Sequence, residues 1–332
     1  MKILVIGLGS MGKRRIRNLM AIGNHEIAGY DPRLDRRNES QENYSIQIYD
    51  EIDMAFEKYR PDVLIVSTPP KFHMEYAYIA LNKGIDCFIE ASVVDADRIK
   101  ELSILIESSN VLILPSCTMK YFVGPNRIKE LVQNRVIGDV LNFNYQTGQY
   151  LPDWHPWENV EDFYASHKET GGAREIVAFE LTWLNSIFGD PLPINCFKGK
   201  VSSINANIDD IYHLTLKYPM GIMANITIDV ISRQKAVRVM RILGTDGQLV
   251  FDGESNTIRV INSSMKDWLL INLNSGTNEG NYINPEEPYI AELRDFIASV
   301  QFRDANLFPN SLSADFRVLE ILNELEEISG GS

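Results

Sequence analysis

The sequence predicts an α/β protein: an N-terminal doubly wound parallel sheet, followed by an α+β domain with a large, mostly antiparallel open sheet. Three observations support this fold class. Short apolar runs alternate with helical patterns over residues 2–118. A glycine-rich turn directly follows the first apolar run, and an alternation of apolar and polar residues with period two begins after residue 120.

Five apolar runs of the first half are strand-like, and the last three are typical of strands that are covered on both faces. They read KILVIG, HEIAGYD, PDVLIVS, IDCFIE and NVLILPS. The segments between them, such as KFHMEYAYIALNKG and DADRIKELSILIESSN, carry apolar residues at the spacing of helices. This repeated order of strand, helix and strand predicts a parallel sheet domain over residues 1–119.

The second half changes to the pattern of a sheet with one covered face. The segment VLNFNYQTGQY alternates Leu141, Phe143 and Tyr145 with polar residues, and IYHLTLKY and GIMANITIDV repeat the alternation. We assign residues 120–332 to this second domain, which ends in two helical segments. Its polar face carries Asn, Gln and Thr rather than charges, so we expect a homodimer or homotetramer through that face. A solvated, uncharged sheet face is the alternative.

Composition excludes several functional classes. The formal net charge of −13 argues against broad attraction to nucleic acid or to an anionic membrane. No apolar run approaches the roughly 20 residues of a membrane span. Three widely spaced cysteines, Cys87, Cys117 and Cys196, predict reduced, buried thiols rather than a disulfide framework. We therefore expect a cytoplasmic protein that binds neither nucleic acid nor membranes.

The turn GLGSMG predicts a Rossmann-type dinucleotide site. Gly7, Gly9 and Gly12, with Ser10 and Met11 between them, lie between the first strand and a helix. Glycine there permits a tight turn and a close approach to a pyrophosphate, and the helix N-terminus offers unpaired N–H groups.

The second strand ends at Asp31, about where an acidic residue binds the adenosine ribose. A carboxylate at this point favours NAD. The nearby arginines Arg33, Arg36 and Arg37 leave NADP open as the alternative cofactor, although a solvated basic turn would have the same sequence.

The segment CFIEASVVD places a carboxylate at the end of a predicted strand. An apolar strand ends at Glu90, and the next residues, Ala91 and Ser92, are small. Neither of them is a usual proton carrier, so Glu90 is more suited to accepting hydrogen bonds than to relaying protons.

These segments together resemble the glucose–fructose oxidoreductase, inositol dehydrogenase and rhizopine-catabolism (Gfo/Idh/MocA) family over nearly the whole chain. The resemblance rests on GLGSMGKRRIRNL, VSTPPKFHMEYAYIALNKGIDCFIE, the change to an antiparallel sheet, and ILGTDGQLVFD. It implies that Thr68 and Pro69 line the nicotinamide ribose, that His73 touches the nicotinamide pocket and that Glu90 helps to hold the cofactor. The family's Glu-Lys-Pro motif has its lysine replaced here by Ala91.

A second signature of the family is a Gly-Gly pair before a helix that carries Asp and His. In TGGAREIVAFELTWL, Ile176 and either Phe179 or Glu180 take those two places. We therefore expect the acid–base group to be His155, with Glu175 or Glu180 next. Lys120, Arg174 and Trp154 are the expected substrate-binding residues; for Lys120 a surface role is the alternative, and for the tryptophans a role in sealing the domain interface.

The function expected from these residues is an NAD(P)-dependent oxidoreductase acting on a carbinol carbon of a sugar or sugar derivative. A nucleotide sugar or sugar acid of bacterial carbohydrate or surface-polysaccharide metabolism would fit. The alternative is a catalytically inactive, nucleotide-binding regulatory or sensor protein, and a third candidate uses NAD transiently in an elimination or epimerisation. No group of residues has the spacing of a metal site, so no catalytic metal is expected.

Overall fold

The structure, a computed structural model, describes residues 1–154, 159–162, 164–274, 276–280 and 284–330. The chain forms two compact units. One combines Met1–Tyr121 with Gly276–Phe316, and the other combines Phe122–Ser275 with Arg317–Ser332. The first unit thus includes a C-terminal segment that the sequence-based division assigned to the second domain.

The first unit contains a six-stranded parallel sheet in the order β3-β2-β1-β4-β5-β6. Its strands are β1 (Lys2–Ile6), β2 (Glu26–Tyr30), β3 (Gln47–Tyr49), β4 (Val63–Val66), β5 (Asp86–Ile89) and β6 (Ile113–Pro115). Strand order reverses between β1 and β4, which is the point where doubly wound sheets bind their ligands, at the carboxyl ends of the strands. The predicted fold class is confirmed for this unit.

The second unit contains an eight-stranded sheet in the order β14-β13-β12-β11-β7-β10-β9-β8. Its strands are β7 (Val140–Gly148), β8 (Leu192–Gly199), β9 (Ile211–Lys217), β10 (Met223–Asp229), β11 (Val237–Gly244), β12 (Gly247–Asp252), β13 (Thr257–Asn262) and β14 (Leu269–Asn272). Among the strands that the structure describes in this sheet, only the β7–β10 pair is parallel, so the prediction of a mostly antiparallel sheet is also confirmed.

The helices are α1 (Ser10–Ile22), α2 (Leu34–Tyr44), α3 (Ile52–Met54), α4 (His73–Lys83), α5 (Ala96–Leu105), α6 (Val123–Gln133), α7 (Gly172–Phe188), α8 (Glu287–Phe302) and α9 (Leu312–Gly330). Helix α8 contributes to the core of the first unit. Its Phe296 lies edge-on to Phe88 of β5, with ring centroids 5.4 Å apart. In the second unit Phe143 of β7 stacks on Phe188 of α7 at 4.5 Å. The three cysteines are free and buried.

Candidate functional site

The glycine-rich turn between β1 and α1 is as tight as the sequence predicts. Gly7 has a φ of +88°, and a Cβ there would lie 2.6 Å from the carbonyl oxygen of Ser67. A Cβ on Gly12 would lie 1.8 Å from the carbonyl oxygen of Gly7. Helix α1 begins at Ser10 and Met11, and no side chain caps it at Gly9. A glycine-rich turn that leads into a helix N-terminus suits an anion such as a pyrophosphate.

Asp31 follows β2 and is almost completely buried. Its Oδ2 accepts a hydrogen bond of 2.8 Å from the backbone N–H of Leu8, and its Oδ1 accepts one of 2.9 Å from that of Arg33. These bonds tie the end of β2 to the glycine-rich turn. The carboxylate is thus held where the sequence predicts a ribose ligand.

The three arginines after Asp31 lie in different environments. Arg33 pairs with Asp35, and Arg37 donates to the carbonyl oxygens of Asp31 and Pro32. The guanidinium of Arg36 lies 3.7 Å from Asp31 Oδ2, and its Nη1 is 3.4 Å from where a Cβ on Gly9 would stand. Arg36 is therefore the arginine of this group that lies over the glycine-rich turn.

The chain leaving β4 carries the predicted residues Thr68, Pro69 and His73. The Oγ1 atom of Thr68 is buried and has no hydrogen-bond partner among the described residues. His73 Nε2 lies 2.8 Å from the carbonyl oxygen of Thr68, and Nδ1 lies 3.1 Å from Ser92 Oγ. Because a carbonyl oxygen can only accept, we assign the proton to Nε2, so that Nδ1 accepts from Ser92.

His73 therefore links the segment after β4 to the segment after β5 through its two hydrogen bonds. Burial lowers the pKa of His73, against the opposing effects of its bond to Thr68 and the charge of Glu90. A neutral imidazole with both nitrogens engaged fixes the position of Thr68. The sequence predicts that His73 touches the nicotinamide pocket; its observed contacts indicate support for the residue that would face it.

Glu90 is not a lone carboxylate. Arg15 of α1 donates to it twice, from Nε to Oε1 at 2.7 Å and from Nη2 to Oε2 at 2.8 Å. Ser67 Oγ adds a bond of 3.2 Å to Oε1. The third arm of Arg15, Nη1, donates to Glu292 of α8 at 2.8 Å. Neither Arg15 nor Glu292 was predicted from the sequence, because Arg15 lies 75 residues from Glu90 and 277 residues from Glu292 along the chain.

In the second unit, Glu175 has the properties of a proton donor. Its side chain lies in the first turn of α7, and only 4% of the residue is exposed. Oε1 accepts a bond of 2.8 Å from the hydroxyl of Tyr164, whereas Oε2 is buried without a partner among the described residues. Burial raises the pKa of Glu175 to about 8, although the bond from Tyr164 opposes the rise. A pKa near 8 favours the protonated form of this carboxyl group at neutral pH.

The Gly171-Gly172 pair sets the start of α7. Gly172 has a φ of +58°, and a Cβ on Gly171 would lie 2.0 Å from the carbonyl oxygen of Ala165. Both positions therefore require glycine. The close approach brings the segment that carries Tyr164 against the first turn of the helix, which is how Tyr164 reaches Glu175.

Two other candidates in the second unit, Glu180 and Arg174, form hydrogen bonds and ion pairs within that unit. Glu180 accepts from Tyr145 at 2.7 Å and from Trp183 Nε1 at 2.5 Å, and pairs with Arg238 at 2.9 Å. Arg174 binds Glu326 and Asn323 of α9. These contacts give both residues a role in holding α7 in place.

The remaining candidates fall into two groups. In the first unit, Lys120 Nζ donates to the carbonyl oxygen of Pro309 at 2.8 Å and to Asn310 Oδ1 at 3.3 Å. Trp154 is half-buried, and its Nε1 is buried with no partner among the described residues. His155, the first candidate for acid–base work, lies outside the described residues.

Comparison with known proteins identifies the class. Residues 1–115 match the family model described as "Oxidoreductase family, NAD-binding Rossmann fold", and residues 126–250 match the model described as "GFO/IDH/MocA C-terminal domain". The fold and these matches define an NAD-binding oxidoreductase. The chain belongs to the GFO/IDH/MocA oxidoreductase family, so the predicted family and the predicted NAD cofactor are confirmed.

A relative and three solved structures extend the comparison. Over 139 residues the chain is 28% identical to an uncharacterized oxidoreductase of Streptococcus pneumoniae serotype 4, a match covering 41% of this chain and 37% of that protein. An Agrobacterium radiobacter oxidoreductase in complex with NAD+, L-tartaric acid and magnesium has a TM-score of 0.87 at 12% identity, covering 99% and 96% of the two chains.

Levoglucosan dehydrogenase in complex with NADH and levoglucosan has a TM-score of 0.83 at 15% identity, covering 100% and 97% of the two chains. Myo-inositol 2-dehydrogenase from Lactobacillus plantarum has a TM-score of 0.80 at 17% identity, covering 99% and 97%. At these identities the likeness shows a shared fold.

The residues of the first unit fit the cofactor of this family. The start of α1 at Gly9 suits a pyrophosphate. The buried hydroxyl of Thr68, which has no hydrogen-bond partner among the described residues, suits a hydrogen-bonding group of the nicotinamide half. Across the part of the chain that the structure describes, no cluster of three or more His, Cys, Asp or Glu side chains could hold a metal ion. Within that same part, every helix is too short or too polar to cross a membrane.

Proposed function

We propose that this chain is an NAD(H)-dependent oxidoreductase acting on a carbinol carbon of a sugar or sugar derivative. The observation that carries the proposal is the fit of the carboxyl edge of the first sheet to a dinucleotide. Support for the substrate class comes from two structural neighbours, which are named for levoglucosan and myo-inositol. Both compounds are polyhydroxylated rings.

In this proposal each element of the first unit has one task. The start of α1 at Gly9 holds the pyrophosphate, Asp31 accepts from the adenosine ribose, and Thr68 meets the nicotinamide half through its hydroxyl. The cofactor, when bound, supplies the two-electron chemistry. His73 keeps Thr68 in position, and Glu90 faces the same edge at the end of β5.

We propose Glu175 as the group that moves the proton. When a carbonyl is reduced to a carbinol, Oε2 of Glu175 gives its proton to the substrate oxygen; in the reverse reaction the ionised carboxylate takes the proton back. A pKa raised to about 8 suits this task, since general acids work best near the operating pH. Trp154 is proposed to bind a substrate oxygen through its indole N–H, which has no partner among the described residues.

His155 is the competing proposal for the proton, and two variants separate the two residues. Glu175→Gln keeps the shape of the side chain but removes its acidic proton, whereas His155→Ala removes the imidazole. Replacement of the residue that moves the proton should lower turnover strongly and leave the affinity for NADH unchanged. Glu180, Arg174 and Lys120 are proposed to hold the framework, because their polar groups are engaged.

The preference for NAD over NADP is proposed to depend on Asp31 and Arg36. With NAD, the Asp31 carboxylate accepts from the ribose and keeps Arg36 beside it; a 2′-phosphate would need Arg36 to turn toward it. Arg36→Ala should therefore weaken NADPH binding more than NADH binding. Equal losses for both cofactors would contradict this role.

The decisive experiment is a fluorescence titration of the purified protein with NADH and NADPH, followed by nicotinamide absorbance during incubation with sugars, sugar acids and nucleotide sugars. Binding together with substrate-dependent oxidation or reduction supports the oxidoreductase. Binding without turnover across the panel favours the regulatory alternative. Failure to bind either cofactor would contradict the proposed use of the glycine-rich turn.

The open face of the second sheet is proposed to form the interface of a homodimer or homotetramer. Two hydrogen bonds of 3.3 Å link its uncharged side chains across strands, Thr215 to Asn225 and Asn225 to Asn144, and a third of the same length joins Asn144 to Asn142 along β7. Phe197, 68% exposed, stands on the same face opposite His213. Light scattering tests the proposal: Asn144→Lys should dissociate the assembly, and a monomeric wild type would refute it.

We also propose a cytoplasmic location. Its support is the set of free, buried thiols, which suits a reducing compartment. Fractionation of the source cells tests the proposal, and recovery of the protein from an extracytoplasmic fraction would contradict it.

A further inference from the structure

The end of β5 carries a buried group of charges, Arg15, Glu90 and Glu292, which we call the Arg15 triad. The side chains of Arg15 and Glu292 are 0% exposed, whereas that of Glu90 is 15% exposed. Arg15 also stacks over the ring of Phe88 at 4.6 Å. Glu90 is thus the member of the triad that reaches the carboxyl edge of the sheet.

Each carboxylate oxygen of the triad accepts a hydrogen bond from a group that can only donate, the Arg15 guanidinium or the backbone N–H of Cys117. Glu292 accepts from Arg15, from Ser116 Oγ at 2.9 Å, from Thr118 Oγ1 at 2.7 Å and from the N–H of Cys117 at 2.5 Å. Glu90 accepts both prongs of the Arg15 fork and the hydroxyl of Ser67. Such an arrangement of donors suits two negatively charged carboxylates, Glu90 and Glu292.

One cation and two anions leave the triad with a single net negative charge. Burial opposes the charge of Arg15, but Glu90 and Glu292 more than compensate and raise its pKa above the ordinary value. The neighbouring cations bind other groups. Arg14 pairs with Glu286 at 3.0 Å, a carboxylate that it shares with Arg17, and Lys120 donates to the uncharged oxygens of Pro309 and Asn310.

We propose that the Arg15 triad makes this chain bind the oxidised nicotinamide, which carries a positive ring charge, in preference to the neutral reduced form. The inference rests on the proposed function, because it takes the nicotinamide half to lie at the β4 and β5 end of the switch point. A net negative charge at a partly desolvated edge attracts a cationic ring and has little effect on a neutral one.

The preference has a consequence for the reaction. Tighter binding of the oxidised cofactor favours, on the protein, the direction in which a carbonyl group gains a hydride and a proton and becomes a carbinol. A protonated Glu175 suits the same direction, since it can deliver that proton. The triad acts as a positioned charge and takes no part in the transfer itself.

The test compares dissociation constants of NAD+, NADH and ADP-ribose, measured by calorimetry, in wild type and in Glu90→Gln. Removing the charge should reduce the NADH/NAD+ ratio of dissociation constants roughly tenfold, equivalent to about 1.4 kcal/mol. ADP-ribose lacks the nicotinamide, so its affinity should stay within roughly twofold of wild type.

A second variant separates charge from contact. Glu292→Gln removes the same charge from a side chain that is completely buried, so it should shift the ratio in the same direction. Glu26→Gln is the matched control, because Glu26 begins β2 and so lies at the amino ends of the strands, away from the carboxyl edge of the sheet. It should leave the ratio unchanged.

The outcomes are distinct. An unchanged NADH/NAD+ ratio in Glu90→Gln overturns the inference, and so does an equal weakening of NAD+, NADH and ADP-ribose. If Glu292→Gln does not fold, the ratio in Glu90→Gln still decides. Failure of wild type to bind either form of the cofactor would remove the proposed function instead, so the two failures cannot be confused.

Discussion

Replacing Glu175 by glutamine gives a stability test whose sign and size follow from one buried carboxyl group. Burial raises its pKa from 4.5 to about 8 in the folded chain. The folded state therefore holds this proton over a pH range in which the unfolded state has released it. The associated stability is fully present below the unfolded pKa and is lost as pH rises to about 8.

The magnitude follows from the size of the shift. Each pH unit between the two pKa values corresponds to roughly 1.4 kcal/mol of unfolding free energy. The wild type should therefore lose on the order of 5 kcal/mol from this group across the window. Glutamine is neutral throughout and its oxygen can still accept from Tyr164, so Glu175→Gln should gain on the wild type by that amount as pH rises.

The assay is urea unfolding of both proteins at steps between roughly pH 5 and pH 8, compared at each step. Groups that titrate in both proteins cancel in the difference. Glu169→Gln is the control, because Glu169 is exposed in the same unit. Its difference from wild type should stay flat. If the Glu175→Gln difference is also flat, Glu175 is not held protonated by burial and the proposed acid loses its support.

Three further predictions concern other buried groups. Burial raises the pKa of Asp315 to about 7, so Asp315→Asn should gain stability over wild type as pH rises from about 4 to about 7, in the same unfolding assay; parallel curves would contradict this. Gly172→Ala puts a side chain at a φ of +58° and 2.7 Å from Ile208, and should lower stability by roughly 2 kcal/mol or more, seen as a lower thermal midpoint. Arg238→Met leaves the buried Glu180 carboxylate without its cation and should cost roughly 3 kcal/mol in urea unfolding, whereas a neutral result would show that Tyr145 and Trp183 satisfy Glu180 alone.

Much of the fold was predictable because its signals are local. Buried parallel strands read as apolar runs, and the turn at Gly7 needs a residue without a side chain. The partners of an element are not local. The pattern of α8 predicts a helix with one apolar face, but not that this face packs in the first unit. The alternation in β7 and β10 predicts two strands, but not that they run parallel.

In the candidate site, too, the sequence predicts local features but not the partners that lie far away along the chain. Glu90 was identified from its place at the end of a strand, whereas Arg15 reads as one of several basic residues on a helix. Arginine is rarely fully buried unless it is paired, and here one of its carboxylates comes from α8. Glu175 and Glu180 lie on one helix and cannot be distinguished by sequence. Only the structure shows that Tyr145, Trp183 and Arg238 occupy Glu180.

The contribution of α8 to the first unit determines when that unit can be completed during synthesis. Glu292 is translated 277 residues after Arg15. In the interval the chain makes Phe122–Ser275, the main part of the second unit, which is in effect an insertion within the first. The residues of α1 that contact α8 therefore reach their final packing only after α8 has been made, and a nascent chain released before α8 leaves a buried arginine short of one carboxylate. Completion of the first unit therefore depends on synthesis of the residues between α1 and α8, most of which belong to the second unit.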